Sequence, residues 1–183
     1  MRDADTELVA AYRDGHAPAL ESLYWRHAER VWRYARYFSG SEETAAEIVQ
    51  ETFVRVAQHL GEFEGRSQFT TWLFAITRSV AVENATKRRR ATPQAGEEWM
   101  EQVPAATPEP AEELAAAETR AAVRAAIGRL PENEREAVLL CEIGDLSIRT
   151  AGEILGWGES RVKITLFRAR RKLKEMLAAH VSA

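Results

Sequence analysis

The stretch LSIRTAGEILGWGESRVKITLFRARRKLK, Leu146 to Lys174, decides the fold. Ser147 is placed to cap a helix, because its hydroxyl can accept from a free amide one turn on. Ile148, Ala151, Ile154 and Leu155 then recur at helical spacing. Gly156 stands where a chain leaving a helix takes a left-handed residue, and Gly158 keeps the turn short. A second helix is expected from about Glu159, lined on one side by Val162, Leu166, Ala169 and Leu173. From Arg161 to Lys174 it carries seven basic residues and no acidic one. An inner apolar stripe under an outer basic face, with small Gly152 at the expected helix crossing, is the pattern of a helix-turn-helix that enters DNA. Charge alone would suit a solvated helical surface equally well; the spacing favours DNA.

Around this stretch, 183 residues allow one domain or two small ones, and a hydrophobic content of 45% supports folded cores. A net charge of -3 argues against indiscriminate coating of nucleic acid. The charge is uneven. Residues 1–90 hold 13 basic and 13 acidic side chains, residues 91–113 hold none and six, and residues 114–183 hold 12 and nine. Four of the six prolines fall in 91–113, which therefore reads as a flexible acidic linker. Trp99 and Met100 are its only large apolar groups.

Several chemistries find no support. Cys141 is the single cysteine and lies in an apolar run, so it reads as a small core residue. His16, His27, His59 and His180 are scattered, with no zinc spacing and no nucleophile–base pair. Neither an enzyme, a metal site, a cofactor nor a small-molecule substrate is expected. No apolar run reaches membrane length and the N-terminus has no signal-peptide pattern, so a cytoplasmic location without membrane insertion is the expectation.

Upstream, the chain reads as helices throughout. Thr6 opens a short one that ends at Asp14-Gly15, and Pro18 suits the first turn of a longer one closed by Ser39-Gly40. Thr44 with Glu47 has capping-box spacing ahead of the stripe Ala45, Ile48, Val49, Thr52, Phe53, Val56 and Leu60. After the loop Gly61 to Arg66, a helix from about Ser67 carries Phe69, Trp72, Leu73, Ile76 and Val80 inward and ends in the basic run 87–90. The fold expected is all-α: two small helical domains, 1–90 and 114–183, joined by 91–113.

Two stretches together resemble one family. Residues 47–90, with the runs VQETF and FEGRSQFTTWL, look like the second region of bacterial RNA polymerase sigma factors. Residues 130–173, ending in LFRARRKL, look like their fourth region. A short chain with only these regions is similar to the extracytoplasmic-function group. The resemblance implies that the helix from Thr44 to Leu60 docks on the clamp helices of the largest polymerase subunit, through Glu47, Gln50, Glu51, Val54 and Gln58. Acids and amides around one exposed valine suit a partner helix bearing Arg and Gln. It implies a reader of the melted -10 element in the next loop and helix. The candidates there are Phe63, Arg66, Ser67, Thr70 and Thr71 for a flipped base, then Arg78, Ser79, Glu83, Asn84, Lys87 and Arg88 for the displaced strand. Phe63 reads equally well as an apolar plug for its loop, and Trp72 reads as core.

The helix from Glu159 resembles the family's reader of the -35 duplex. Glu159, Ser160, Arg161, Lys163 and Thr165 would meet base edges, while Arg168, Arg170, Arg171 and Lys172 would hold phosphate or the flap of the second polymerase subunit. Ser79 and Glu83 stand where relatives usually have asparagine and aspartate, and Thr165 stands where an arginine is common. The resemblance further implies an anti-sigma partner, with promoter DNA and core polymerase as the working partners. The rival from the residues alone is a stand-alone helix-turn-helix regulator with an N-terminal helical sensing domain.

Overall fold

Pro18 and Gly40 bracket the first long helix, each for a backbone reason. Pro18 opens α2 (Pro18–Ser39), where its missing N–H costs no hydrogen bond. Gly40 closes it at φ 72°, with its N–H donating to the Arg36 carbonyl. The computed structural model describes residues 4–91 and 111–181. In it α1 (Ala4–Arg13), α2, α3 (Glu42–His59) and α4 (Phe69–Ala91) form a first bundle. A second holds α5 (Ala111–Gly128), α6 (Glu132–Val138), α7 (Ile148–Leu155) and α8 (Glu159–Val181). No strand occurs among the described residues, and the fold is all-α as expected.

Three boundaries differ from the sequence reading. Helix α3 starts at Glu42 because Ser41, not Thr44, supplies the cap: its hydroxyl accepts from the Thr44 N–H, and Thr44 itself is buried. Helix α4 starts at Phe69 rather than Ser67. Helix α5 is already formed at Ala111, three residues before the expected start, since Ala-Glu-Glu after Pro110 favours a first helical turn. The remainder of the expected linker, with Trp99 and Met100, lies outside the described residues.

Helix α1 is tied down by charge as well as by Val9. Asp5, buried, accepts from Arg26 Nη1 at 3.1 Å and lies 2.9 Å from His27 Nε2. Burial pushes the Asp5 carboxyl up, but the His27 hydrogen bond and the charges of His27 and Arg26 outweigh it and hold the carboxyl below 3.8. A carboxyl depressed in the folded state stabilises fully above its unfolded value and loses that contribution as pH falls through its folded value. Acid unfolding of the full chain, followed by circular dichroism, should therefore lose an increment below pH 3.8 that Asp5→Asn lacks. Superimposable acid profiles for the two chains would remove this role.

The helix-turn-helix forms as its sequence suggests. Ser147 Oγ accepts from the Thr150 N–H at 3.0 Å, and Gly156 closes α7 at φ 67°. Gly152 matters at the crossing because a Cβ there would lie 2.7 Å from the Trp157 carbonyl oxygen. Ahead of it, α6 widens into a π turn over Leu139–Ile143, which buries Leu139 and Leu140. Half-buried Cys141 sits in this turn, its thiol pushed up to about 11 by burial and then by Glu142, so it stays an inert core thiol.

The two bundles share one apolar cluster. Across the seam, Arg30 donates from Nη2 to the carbonyls of Gly144 at 2.7 Å and Asp145 at 2.8 Å, and its guanidinium lies 5.5 Å from the Phe74 ring. Arg78 on α4 donates from Nε to Glu136 Oε2 on α6 at 2.9 Å, and Glu136 is buried. Gly144 meets Phe74 so closely that a Cβ would lie 3.0 Å from its ring.

Candidate nucleic-acid interface

Helix α8 turns Val162, Leu166 and Ala169 inward, all buried. That face fixes the opposite one. Ser160, Arg161, Lys163, Arg168 and Arg171 are exposed, with Glu159 beside them in the first turn, while Thr165 is half-buried. Arg161 lies over the Trp157 ring at 4.1 Å, a cation–π contact that holds the guanidinium at the mouth of the turn. Glu159 pairs with Lys163 at 3.7 Å along the helix. Two of the expected phosphate ligands are placed differently. Arg170 donates from Nε to Glu142 at 3.1 Å, and Lys172 to Glu134 at 2.9 Å. Both lie on the flanks of the inward stripe and fasten α8 to the α6 segment. Sequence reading passed over Ile164 and Phe167, which are large, apolar and exposed on the outer face.

The loop before α4 is built on aromatic contacts. Phe63 is half-buried, 5.0 Å from the Trp72 ring and 6.1 Å from Phe69 by centroids, and Trp72 is itself half-buried. Of the two readings of Phe63, the plug describes its packing. Arg13 donates to the Phe63 carbonyl, and Arg66 pairs with Glu64, both at the exposed rim. Ser67 is exposed and Thr70 half-buried. Thr71 is only 8% exposed. It lies one turn before fully buried Phe74, shares its inward face, and offers little to a base.

Along α4 the expected strand-facing groups other than Lys87 are already partnered. Glu83 accepts from Arg55 at both oxygens, at 2.9 and 2.7 Å, and from Ser79 Oγ at 2.9 Å. The Arg55 hydrogen bonds, then that of Ser79, hold its carboxyl down at about 2. Arg55 also donates to Glu51 at 2.8 Å, so one guanidinium joins the two candidate surfaces. Asn84 Nδ2 reaches Glu47 at 3.4 Å and does the same one turn along. Arg88 donates to Thr44, Arg78 is held by Glu136, and Lys87 is exposed. Arg55 went unassigned from sequence because Glu83 lies on a helix 28 residues away.

On α3, Glu47, Gln50, Glu51 and Gln58 are all exposed around Val54, which is 41% exposed. Among the described residues no group of three or more His, Cys, Asp or Glu could hold a metal ion. No described helix is long and apolar enough to cross a membrane.

These surfaces fall inside two known regions: Sigma-70 region 2 matches residues 23–91, and Sigma-70, region 4 matches residues 120–173. The chain belongs to the sigma-70 family. Within it, this sigma chain is similar to proteins of the extracytoplasmic-function group. It is 33% identical to SigE of Mycolicibacterium smegmatis over 90% of its own length, and spans 64% of that relative. It is 30% identical to SigM of Mycobacterium tuberculosis, covering 95% of this chain and 85% of SigM. It is also 30% identical to CnrH of Cupriavidus metallidurans, covering 97% and 96%. The solved structure of CnrH in complex with the cytosolic domain of CnrY superposes with a TM-score of 0.74 at 27% identity, over 97% of the sigma chain and 99% of CnrH. The RpoE structure from Bartonella quintana, solved with NepR, shares the fold at a TM-score of 0.70 and 22% identity, over 88% and 98%. Region 2 thus runs from Leu23 within α2 through α3 to the end of α4, and region 4 runs from within α5 to Leu173 on α8.

Proposed function

We propose that this sigma chain is the promoter-specificity subunit of an RNA polymerase, without catalysis of its own. The observation that carries the reading is the outer face of α8, where exposed cations oppose a buried apolar stripe in a capped helix-turn-helix. On this reading α8 enters the major groove of the -35 duplex through Glu159, Ser160, Arg161 and Lys163, with Arg168 and Arg171 on phosphate. Thr165, half-buried, sits at the edge of that face. The α3 face around Val54 docks on the polymerase clamp helices. The loop at Phe63 to Ser67, with Thr70 and the exposed edge of α4, receives the melted -10 strand. Residues 1–90 and 114–183 act as two modules, and joining them on one chain raises the effective concentration of the second once the first is bound. An anti-sigma protein as restraint, and work in the cytoplasm, belong to the same reading. CnrH, of the same fold, has been solved with CnrY bound.

Transcription from a genomic library with purified core polymerase tests this. Discrete start sites preceded by a common -35/-10 pair are expected only when the chain is added. Failure to initiate anywhere, with tight duplex binding in the absence of polymerase, would favour the stand-alone regulator. Arg161→Ala should then weaken promoters by about 5- to 150-fold, the range of a lost base contact, and selectively by -35 sequence. A loss uniform across promoters would make Arg161 a phosphate contact instead.

A further inference from the structure

The outer face of α8 has an apolar centre. A helix advances 100° per residue, so the direction opposite Val162, Leu166 and Ala169 falls between Ser160, Ile164 and Arg171, with Phe167 beside them. Ile164 is 54% exposed and Phe167 is 69% exposed. A lone exposed apolar side chain needs no explanation. These two are neighbours at i and i+3, and cations surround them: Arg161 on its Trp157 ledge, Lys163, Arg168 and Arg171. Water is a poor match for such a surface. A partner that is anionic at its edges and apolar at its floor is a good one.

The major groove has that profile. Phosphates line its rims, and the thymine C5-methyl is its apolar group, which apolar side chains contact. Arg161 to Arg171 spans about 15 Å of helix, enough to reach across a groove about 12 Å wide. We propose that Ile164, with Phe167 beside it, reads thymine methyl groups in the duplex that α8 enters. The proposal rests on the promoter-reading function above and adds a chemical preference to it: A·T pairs facing the middle of the helix. Ile164 supplies no hydrogen bond, so it discriminates by methyl contact and by rejecting an unpartnered polar edge.

The test uses reconstituted holoenzyme on promoters recovered from the library transcription. Each thymine of either strand in the -35 element is replaced by deoxyuridine, which removes one methyl and leaves pairing intact. The expected result is about a fourfold loss of affinity at one or two positions, the worth of one buried methyl. Ile164→Ala should abolish that sensitivity at one of them while circular dichroism stays unchanged, because the side chain is exposed. Arg171→Ala should lower the salt dependence of binding by about one unit and leave the thymine-to-uracil ratio alone. A ratio of one at every position, or a -35 element without A·T pairs, overturns the proposal. So does a ratio that survives in both Ile164→Ala and Phe167→Ala. Equal weakening on both DNAs by Ile164→Ala, or a change in its oligomeric state, makes the face a protein contact and also overturns it. If wild-type holoenzyme gives no -35 footprint at all, it is the promoter-reading function that fails.

Discussion

Gly152→Val is expected to lower the melting midpoint of the chain by about 6–12 °C, the shift for about 3 kcal/mol in a protein of this size. Two effects oppose one another at this position. Leaving glycine in a helix gains less than about 1 kcal/mol of propensity. Against it, a Cβ would come within 2.7 Å of the Trp157 carbonyl oxygen, with Val162 Cγ2 behind it at 3.7 Å. Trp157 is poorly able to retreat, since its N–H donates to the Gly152 carbonyl at 2.9 Å and its ring carries Arg161. Relieving the clash therefore opens the turn and displaces the α8 N-terminus. Differential scanning calorimetry gives the number, and a midpoint within about 1 °C of wild type would show that the turn accommodates a side chain.

Glu51→Lys is expected to weaken binding to core polymerase by about a hundredfold or more, near 3 kcal/mol. The folded chain should hardly notice. Glu51 is exposed, and its pairing with Arg55 along one helix is worth about 0.5 kcal/mol at most. Arg55 keeps both hydrogen bonds to Glu83 after the change. On the proposed docking face, by contrast, the reversal sets a cation opposite the basic partner helix and leaves a partner arginine unpaired. Competition against a labelled sigma for core polymerase separates the two effects. Affinity within twofold of wild type, with an unchanged melting midpoint, would take Glu51 off the docking face.

Local rules carried the elements, and long-range pairing accounts for what they left out. Ser147 and Gly156 were legible because a cap and a left-handed exit depend on the next turn alone. Thr44 has capping-box spacing to Glu47, but Ser41 sets the boundary because its hydroxyl lies within reach of the Thr44 N–H. Arg170 and Lys172 read as ligands for phosphate or the polymerase flap. Their acids, Glu142 and Glu134, come from 28 and 38 residues away. The pairing of Arg55 with Glu83 was invisible for the same reason. The π turn at Leu139–Ile143 has no composition signature, since an apolar run of that length fits any buried helix. The seam was least legible of all: Arg30 meets Gly144 across 114 residues, and Arg78 meets Glu136 across 58. The apolar centre of α8 was legible by angle, at Ile164, but a search for charge steps over it.

The Arg78–Glu136 pair has a thermodynamic corollary. Arg78 gives its Nε–H, and with it much of its charge, to buried Glu136, so on the proposed reading strand capture at Arg78 and docking of the second bundle oppose one another. Linkage makes the competition symmetric. Whatever factor the docked second bundle takes from the affinity of Arg78 for a phosphate, a bound phosphate takes from the docking of that bundle. If docking is worth about 2 kcal/mol, the undocked form is about 3% of the population, and thirtyfold is about the upper bound on the affinity lost at that site, reached when the docked form binds no phosphate.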